Sequence, residues 1–316
     1  MVAAPSAAPS FRRAFPPETL TKVLVVAGLF AWLTWWQFPS LVARWINDPN
    51  WSHGFVIPLF SIFLIYNRWE DLLRARRRVC LWGLPIVALA IVGMFAGVYP
   101  VRNAMFQRAN MVFLLFGLVL YLAGPSIIRL TWLPILYLLF AVPLPELLYG
   151  RIAGPLQELA AIGSTFLLRL FGVDISATRS HLELLSVNGN WHQLTVAEAC
   201  AGMRLLMAFA ALGVAMAYLQ ARPLWQRVTL VVAGIPIAVL CNVFRVSITS
   251  TMYVLDKPQL GQDFMHTFTG MLMLVPALML LWLLSKLLEA LYVEEEDDPG
   301  PDRTGAAPAG ETAGRS

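Results

Sequence analysis

WQRVTLVVAGIPIAVLCNVFRVSITSTM, residues 225–252, is an apolar stretch with one arginine, Arg245, deep inside it. A helix that crosses a bilayer needs roughly 20 predominantly apolar residues, and this stretch is longer than that. Further apolar blocks lie near residues 20–38, 54–67, 81–99, 109–123, 128–143, 152–171, 199–220 and 266–288. This pattern of long apolar blocks separated by short polar segments predicts an all-α fold, a polytopic transmembrane helical bundle.

The composition agrees with a membrane protein. Of the 316 residues, 58% are hydrophobic and 13% are charged, whereas a soluble domain is about half apolar and about a quarter charged. Several of the 11 tryptophans fall at the ends of apolar blocks, where the indole suits the membrane interface. The net charge of +4 comes from basic residues that flank apolar blocks, so we exclude a nucleic-acid partner.

One membrane domain, residues 19–292, is expected between two ends that lack apolar periodicity. Residues 1–18 and 293–316 are predicted to be disordered and cytoplasmic. No small-residue cleavage site clearly follows the basic N-terminus, which indicates an uncleaved first span rather than a signal peptide. The three cysteines lack short spacing, which argues against a disulfide framework and a structural zinc site; we predict no metal and no other cofactor.

The positions of Lys and Arg orient the bundle, because these residues concentrate on the cytoplasmic side of short loops. By this rule the N-terminus, the arginine-rich loop 68–78 and the loop before residue 228 are cytoplasmic. If all nine blocks crossed the membrane, the loop before residue 228 would lie outside, so one block must not cross. The best candidate is 152–171, because polar residues interrupt it. We therefore predict about eight spans plus an amphipathic helix that lies in the interface, with residues 144–198 on the outer face.

The segment TVAEACAGMRLL carries the strongest chemical signal. Thr195 and Glu198 fit a capping box, which predicts that a helix begins at Thr195. Cys200 then lies in the first turns, where the partial positive charge of the helix end favours the thiolate. Arg204, four residues on, lies on the same face. Taken alone, a small buried cysteine in a tight helix pair is the commoner explanation of this motif.

Two further segments place polar residues in the last spans. In CNVFRVSITS, Arg245 and Asn242 lie on similar faces; an arginine there pairs with another group, lines a wet cavity or reaches the outer interface. Cys241 is expected to pack, because nothing nearby activates it. In GQDFMHTFTGMLM, His266 lies in the first turn of the last span, and histidine is the usual partner of a catalytic cysteine.

In the first outer loop, DPNWSHGFVIP places Ser52 and His53 at the interface, where they can shape a substrate entrance or simply cap a helix. The outer ends of consecutive antiparallel spans lie side by side, so we expect Cys200, Arg245 and His266 to converge. The cysteine can attack a carbonyl, and the histidine can manage the proton of the leaving amine. The arginine can stabilise the oxyanion or hold the substrate.

These motifs resemble the exosortase/archaeosortase family. The resemblance lies in EACAGMR with Cys200, NVFR with Arg245 and HTFTG with His266, in that order and at suitable spacing, and in WSHGFVIP, PLPELL and PLQELAA upstream. It runs from about residue 48 to 288, nearly all of the membrane domain. At one position the chain departs from the pattern, because many members have Ser where this chain has Ala201.

The resemblance implies a cysteine-type peptidase or transpeptidase of the bacterial inner membrane with a periplasmic active site. Members are thought to recognise a C-terminal signal on exported proteins (a PEP-like motif, a transmembrane helix and a basic cluster, together called PEP-CTERM). They cleave near the motif and pass the acyl group to a cell-envelope acceptor, and bacterial members often accompany exopolysaccharide genes. The expected partners are therefore exported proteins with this signal, membrane lipid and an envelope acceptor.

By matching motif, the resemblance makes Cys200 the nucleophile, Arg245 the stabilising arginine and His266 the general acid/base. The supporting or substrate-binding candidates are Glu198, Arg204, Asn242, Ser52 and His53.

Other classes fit the sequence less well. An intramembrane metalloprotease needs His and Glu ligands, and the chain has no H-E-x-x-H. A serine protease needs a serine in a small, glycine-adjacent setting opposite His266, which the sequence does not offer. A non-enzymatic transporter or exopolysaccharide-handling protein would also use an intramembrane arginine and proline-broken helices, but no internal repeat is detectable.

Overall fold

In a computed structural model of the protein, the described residues are 17–196, 202–219, 223–263 and 274–291. The α-helices are α1 Pro17–Thr34, α2 Phe38–Asn47, α3 Val56–Tyr66, α4 Trp69–Arg74, α5 Gly83–Val98, α6 Ala104–Ala123, α7 Pro125–Tyr137, α8 Glu146–Leu170, α9 Gly202–Leu219, α10 Leu224–Val254, α11 Pro258–Asp263 and α12 Leu274–Leu291. Short 3-10 turns lie at Trp35–Gln37, Pro49–Phe55 and Leu138–Ala141. The predicted all-α membrane bundle is confirmed in its helical, apolar character.

The candidate membrane spans are fewer than the apolar blocks of the sequence. Within the described residues, three helices are long and apolar enough to cross a membrane: Leu20–Asn47, Ala104–Ala123 and Leu224–Val254. The pair Pro125–Ala141 and Glu146–Leu170 passes the same test jointly, with an 85° bend between its members. Shorter apolar helices lie at Asn50–Tyr66, Gly83–Val98 and Leu206–Leu219. The count of about eight spans stays a prediction.

The α8 helix contains the segment predicted to lie in the interface. Its buried face is built mainly from small and polar residues, with one leucine; these residues are Ala153, Ala160, Ala161, Ser164, Thr165 and Leu168. Its exposed face carries large apolar residues, which are Leu159, Ile162, Phe166 and Leu170. A Cβ atom at Gly163 would collide with Val243 of α10, so the two helices approach closely. Two of the polar residues that suggested an amphipathic surface helix therefore face the protein, and the apolar face is left to meet lipid.

Pro134 interrupts α7, and neighbouring helices supply the missing hydrogen bonds. Proline has no N–H, so the carbonyl of Leu130 loses its partner within the helix. The hydroxyl of Tyr218 on α9 donates to this carbonyl at 3.3 Å. The hydroxyl of Ser61 on α3 donates to the carbonyl of Pro134 itself at 2.7 Å. In a lipid environment no water replaces such bonds, so they anchor α3 and α9 to α7.

Loops that the charge rule assigns to the same side lie at the same end of the bundle. At one end, Arg44 of α2, Arg102 before α6 and Glu146 at the start of α8 line one cavity. At the other end, the guanidinium of Arg68 lies over the ring of Tyr218 at 5.2 Å. The arginine-rich loop is thus separated from the loops that were predicted to lie outside.

A small antiparallel sheet, which was not predicted from the sequence, follows α8. Its strands are β1 Ile175–Thr178, β2 His181–Leu185 and β3 Trp191–Thr195, in the order β1-β2-β3. Leu182 and Leu184 point from β2 into a core that they share with α8 and α10. The N–H of Val187, in the β2–β3 turn, donates to the carbonyl of Val254 at 2.9 Å. The hairpin is therefore docked on the C-terminal end of α10.

Candidate functional site

The packing of α9 against α10 shows where Arg245 lies along the helix pair. A Cβ atom at Gly213 of α9 would contact Val231 of α10, and a Cβ atom at Gly234 of α10 would contact Phe209 of α9. The two helices are therefore antiparallel, because positions later in α10 meet positions earlier in α9. The C-terminal half of α10, which contains Arg245, lies towards the start of α9.

Arg245 lies on the same side of α10 as the residues that pack on α9. Gly234, Ala238 and Cys241 contact α9 at helical spacing, and Arg245 follows Cys241 by one turn. Cys241 is 3% exposed and shares a cluster with Leu206, which confirms that it packs. Arg245 lies one turn further along, at about the level where α9 begins. Its side chain is only 2% exposed, although arginine is rarely buried so completely.

A polar patch surrounds Arg245 on α10. Asn242 and Thr249 precede and follow Arg245 at helical spacing, and both are buried. The amide atoms of Asn242 and the hydroxyl of Thr249 have no hydrogen-bond partner within the described part of the chain. A buried polar group without a partner costs about 1–3 kcal/mol. This stretch of α10 is therefore suited to receive a further polar group.

The last helix approaches α10 from the same end. Leu280 of α12 packs with Phe209 and Cys241. Near the other end of the pair, the side chain of Gln226 donates to the carbonyl of Leu288 at 3.4 Å. Since early positions of α12 meet late positions of α10, the two helices are antiparallel. Helices α9 and α12 thus both begin beside the part of α10 that carries Arg245.

The residues on either side of the segment with the candidate nucleophile lie beside α10. Val196, just after β3, is 1% exposed and packs in one cluster with Val246, the neighbour of Arg245. Its N–H donates to the carbonyl of Ser180 at 2.7 Å. The next described residue is Gly202, where α9 begins. The chain on both sides of residues 197–201 is therefore placed beside α10.

Several predicted site residues lie outside the described residues. Cys200, Glu198 and His266 are not among the described residues, and Arg204 belongs to α9 without a described side chain. The structure therefore describes the arginine of the predicted triad and the elements that flank the other two members.

Thr195 does not begin a helix, so that part of the capping-box prediction is wrong. Thr195 is the last residue of β3 and lies opposite His181 of β2. Its hydroxyl is 3.1 Å from Nδ1 of His181. Strand pairing thus determines the backbone here, and local capping propensity does not, because the hairpin is held by the core beneath it.

Ser52 and His53 lie in the 3-10 turn between α2 and α3, and His53 faces a cavity. Ser52 is exposed, whereas His53 is half-buried beside Trp51, with ring centroids 5.7 Å apart. The His53 ring lines an apolar cavity of about 280 Å³ together with Ala208 and Ala211 of α9. This cavity runs along the same helix that follows the Cys200 segment.

A polar cluster that was not predicted from the sequence lies at the end of α10. Nε2 of His192 on β3 is 3.0 Å from Oδ1 of Asp256. The side chain of Asn188 donates to Oδ2 of Asp256 at 2.7 Å. These hydrogen bonds, from Asn188 first and then from His192, hold the pKa of the Asp256 carboxyl below its usual value. The cluster fixes the β2–β3 hairpin on α10, and no local sequence signal links residues so far apart.

A comparison with known families shows which family the chain belongs to. The family model of transmembrane exosortases, Exosortase_EpsH, matches residues 45–283. The chain belongs to this family. No curated protein and no solved structure matches the chain.

As a member of the exosortase family, the chain is a membrane protein of a kind consistent with the processing of sorting signals. The match covers the segments of Cys200, Arg245 and His266, together with the 3-10 turn that carries Ser52 and His53. Within the described ranges, no three side chains of His, Cys, Asp or Glu form a group that could hold a metal ion.

Proposed function

We propose that this exosortase-family protein is a cysteine peptidase or transpeptidase that cleaves the C-terminal PEP-CTERM-type sorting signal of exported proteins. The observation that carries the proposal is the position of Arg245. It is buried on the α9-facing side of α10, one turn beyond Cys241, at about the level where α9 begins. Cys200 is two residues before that helix.

In the proposed reaction, the Cys200 thiolate attacks the carbonyl carbon of the scissile peptide bond. The guanidinium of Arg245 stabilises the negative oxygen that forms on the tetrahedral intermediate. His266 gives a proton to the leaving amine, the C–N bond breaks, and the exported protein stays bound as a thioester. Water or an envelope acceptor then attacks the thioester, loses its proton to His266 and releases the Cys200 thiolate.

The supporting residues have distinct roles in this proposal. Asn242 has a buried amide without a described partner, one turn from Arg245, so it can donate to the substrate backbone. His53 lines the apolar cavity beside α9, and Ser52 lies next to it on the surface. Glu198 and Arg204 flank Cys200 in sequence and are assigned to orient it. In this proposal the site faces the periplasm, which is supported by the position of the arginine-rich loop at the opposite end of the bundle.

The test follows the size of an exported reporter that ends in a PEP-CTERM-type signal, coexpressed with the native chain, with Cys200→Ala or with Cys241→Ala. We expect processing with the native chain and with Cys241→Ala, and none with Cys200→Ala at equal abundance. Cys241 is the matched control because it is a packed cysteine. Hydroxylamine should release reporter that is trapped as the thioester.

Equal processing by the Cys200→Ala variant would refute the cysteine mechanism. If neither the native chain nor Cys200→Ala processes the reporter, and export-related phenotypes are normal in cells that carry the variant, a non-enzymatic membrane protein becomes the better description.

A further inference from the structure

A basic cavity lies at the end of the bundle opposite the arginine-rich loop. It has a volume of about 480 Å³ and is lined by Arg44 of α2, Arg102 before α6 and Arg108 of α6. Its remaining wall comes from the first residues of α6, from the turn between α7 and α8, and from Glu146 and Leu147 at the start of α8. Three arginines from separate parts of the chain therefore converge on one space.

Among the described residues, few carboxylates balance this positive charge. Arg44 pairs with Asp48 at 3.3 Å, and its contact with Glu146 is loose, at 4.0 Å, with the Glu146 side chain 91% exposed. The other two arginines have no carboxylate within ion-pair distance in the described part of the chain. The guanidinium of Arg108 donates to a neutral hydroxyl, that of Ser40, at 3.1 Å.

The third arginine, Arg102, lies at the edge of the cavity and has an unusual backbone conformation. Arg102 has a positive φ of 49°, which is uncommon for a residue other than glycine. Its guanidinium lies 5.9 Å from the ring centre of Tyr99. The next residue, Asn103, caps α6 by accepting from the N–H of Phe106 at 3.1 Å. The positive end of the α6 dipole is thus directed at the same cavity.

The position of the arginines at this end needs a reason other than membrane orientation. Arginine is enriched on the cytoplasmic side of membrane proteins, and these arginines lie at the opposite end from the loop that fulfils that rule. Like charges that share a partly enclosed space repel each other unless an anion lies between them. Guanidinium groups match phosphate oxygens with paired hydrogen bonds.

The surroundings of the cavity favour a lipid over a soluble anion. Leu147, which lines the cavity, is 84% exposed, and Ile46 and Phe106 are also exposed at the same end. α6 is one of the helices long and apolar enough to cross a membrane, and the cavity lies at its first residues. A ligand there would place a charged group among the arginines and apolar chains against the exposed leucine.

We propose that Arg44, Arg102 and Arg108 form a binding site for the phosphate of a membrane phospholipid. The proposal is independent of the peptidase reaction, because none of these residues belongs to the candidate catalytic site. Arg102 and Arg108 bind the phosphate oxygens, and Arg44, already paired with Asp48, adds positive charge at the rim.

The test uses the purified full chain in a maltoside detergent, which contains no phosphate, and follows its thermal unfolding. Phosphatidylglycerol, diacylglycerol and inorganic phosphate are added separately. We expect phosphatidylglycerol to raise the unfolding temperature by several degrees, because it binds the folded state. Diacylglycerol, with the same chains and no phosphate, and inorganic phosphate, with no chains, should leave it unchanged.

Variants locate the site. The double variant Arg102→Gln, Arg108→Gln should lose the shift, whereas the control Arg151→Gln, an exposed arginine of α8 outside the cavity, should keep it. A native chain that does not respond to phosphatidylglycerol overturns the proposal whether or not the variants fold. An equal shift with diacylglycerol would show that the chains alone bind, and an equal shift with inorganic phosphate would show a soluble-anion site; either result rejects the phospholipid assignment.

Discussion

At the scale of single residues, Arg245 is the group whose burial and position call for a chemical role. We predict that Arg245→Lys lowers the processing of a PEP-CTERM-type reporter by about 10²–10³-fold, the usual loss when one oxyanion donor is removed. Lysine keeps the charge but not the planar fork of donors. The measurement is the initial rate of reporter processing at matched protein abundance, with Arg151→Lys as the control. Unchanged processing in Arg245→Lys would remove the arginine from the proposed mechanism.

A second residue-scale prediction concerns Asp256, where two substitutions separate the effect of the side-chain charge from the effect of the backbone conformation. The residue has a positive φ of 55°, which asparagine tolerates and alanine does not. Asp256→Asn should therefore loosen the β2–β3 hairpin less than Asp256→Ala. Hydrogen exchange at the N–H of Val187, which donates to Val254 across this junction, reports the loosening. Equal exchange in both variants would show that the backbone conformation contributes nothing.

The pH dependence of the same junction follows from the lowered pKa of Asp256. A carboxyl whose pKa is lower in the folded state stabilises that state fully above its ordinary pKa of about 3.9. This contribution is lost as the pH falls through the lower, folded-state pKa. The part of Val187 protection that depends on Asp256 should therefore persist at mildly acidic pH and decline only in stronger acid. Loss of that part between neutral pH and pH about 5 would contradict the assignment.

At the scale of elements, the junction of α7 and α9 can be tested by a double-mutant cycle. Tyr218→Phe removes the donor to the Leu130 carbonyl that Pro134 leaves free. We expect a loss of about 1 kcal/mol in the free energy of unfolding, within the range for such bonds in soluble and membrane proteins. In a Pro134→Ala background the helix supplies its own N–H, so Tyr218→Phe should cost less. Equal costs in both backgrounds would show that the tyrosine does not replace the missing bond.

At the scale of the whole molecule, the sequence predicted what depends on long, regular patterns. Apolar blocks of spanning length identified the membrane bundle, and the expected packing role of Cys241 is confirmed by its burial. The small sheet was missed because its strands are only four or five residues long. Thr195 was misplaced because the capping pattern is local, whereas its pairing with His181 depends on the hairpin.

In the candidate site, too, short sequence motifs could be read from the sequence, whereas contacts between distant residues could not. Short sequence motifs predicted Cys200, Arg245 and His266, but the unpartnered amide of Asn242 and the link between His192 and Asp256 depend on tertiary contacts. Such contacts join positions that carry no shared local signal. The three-dimensional arrangement is therefore needed to separate the residues that surround the site from those that merely lie near it in sequence.

The orientation of the molecule in the membrane gives the last prediction. In a chain whose native cysteines are replaced by serine, Ser52→Cys should react with a membrane-impermeant maleimide added outside spheroplasts. Arg76→Cys should react only after the membrane is opened. Both positions are exposed, so a difference in labelling reports the side and not the burial. The loop of Arg76 carries a dense arginine cluster, and such clusters are enriched on the cytoplasmic side. Ser52 lies in the turn after α2, at the opposite end of the candidate span Leu20–Asn47 from the basic N-terminus. The reverse labelling pattern would place the Arg245 end of α10 on the cytoplasmic side, where an enzyme that acts on exported proteins could not meet its substrate.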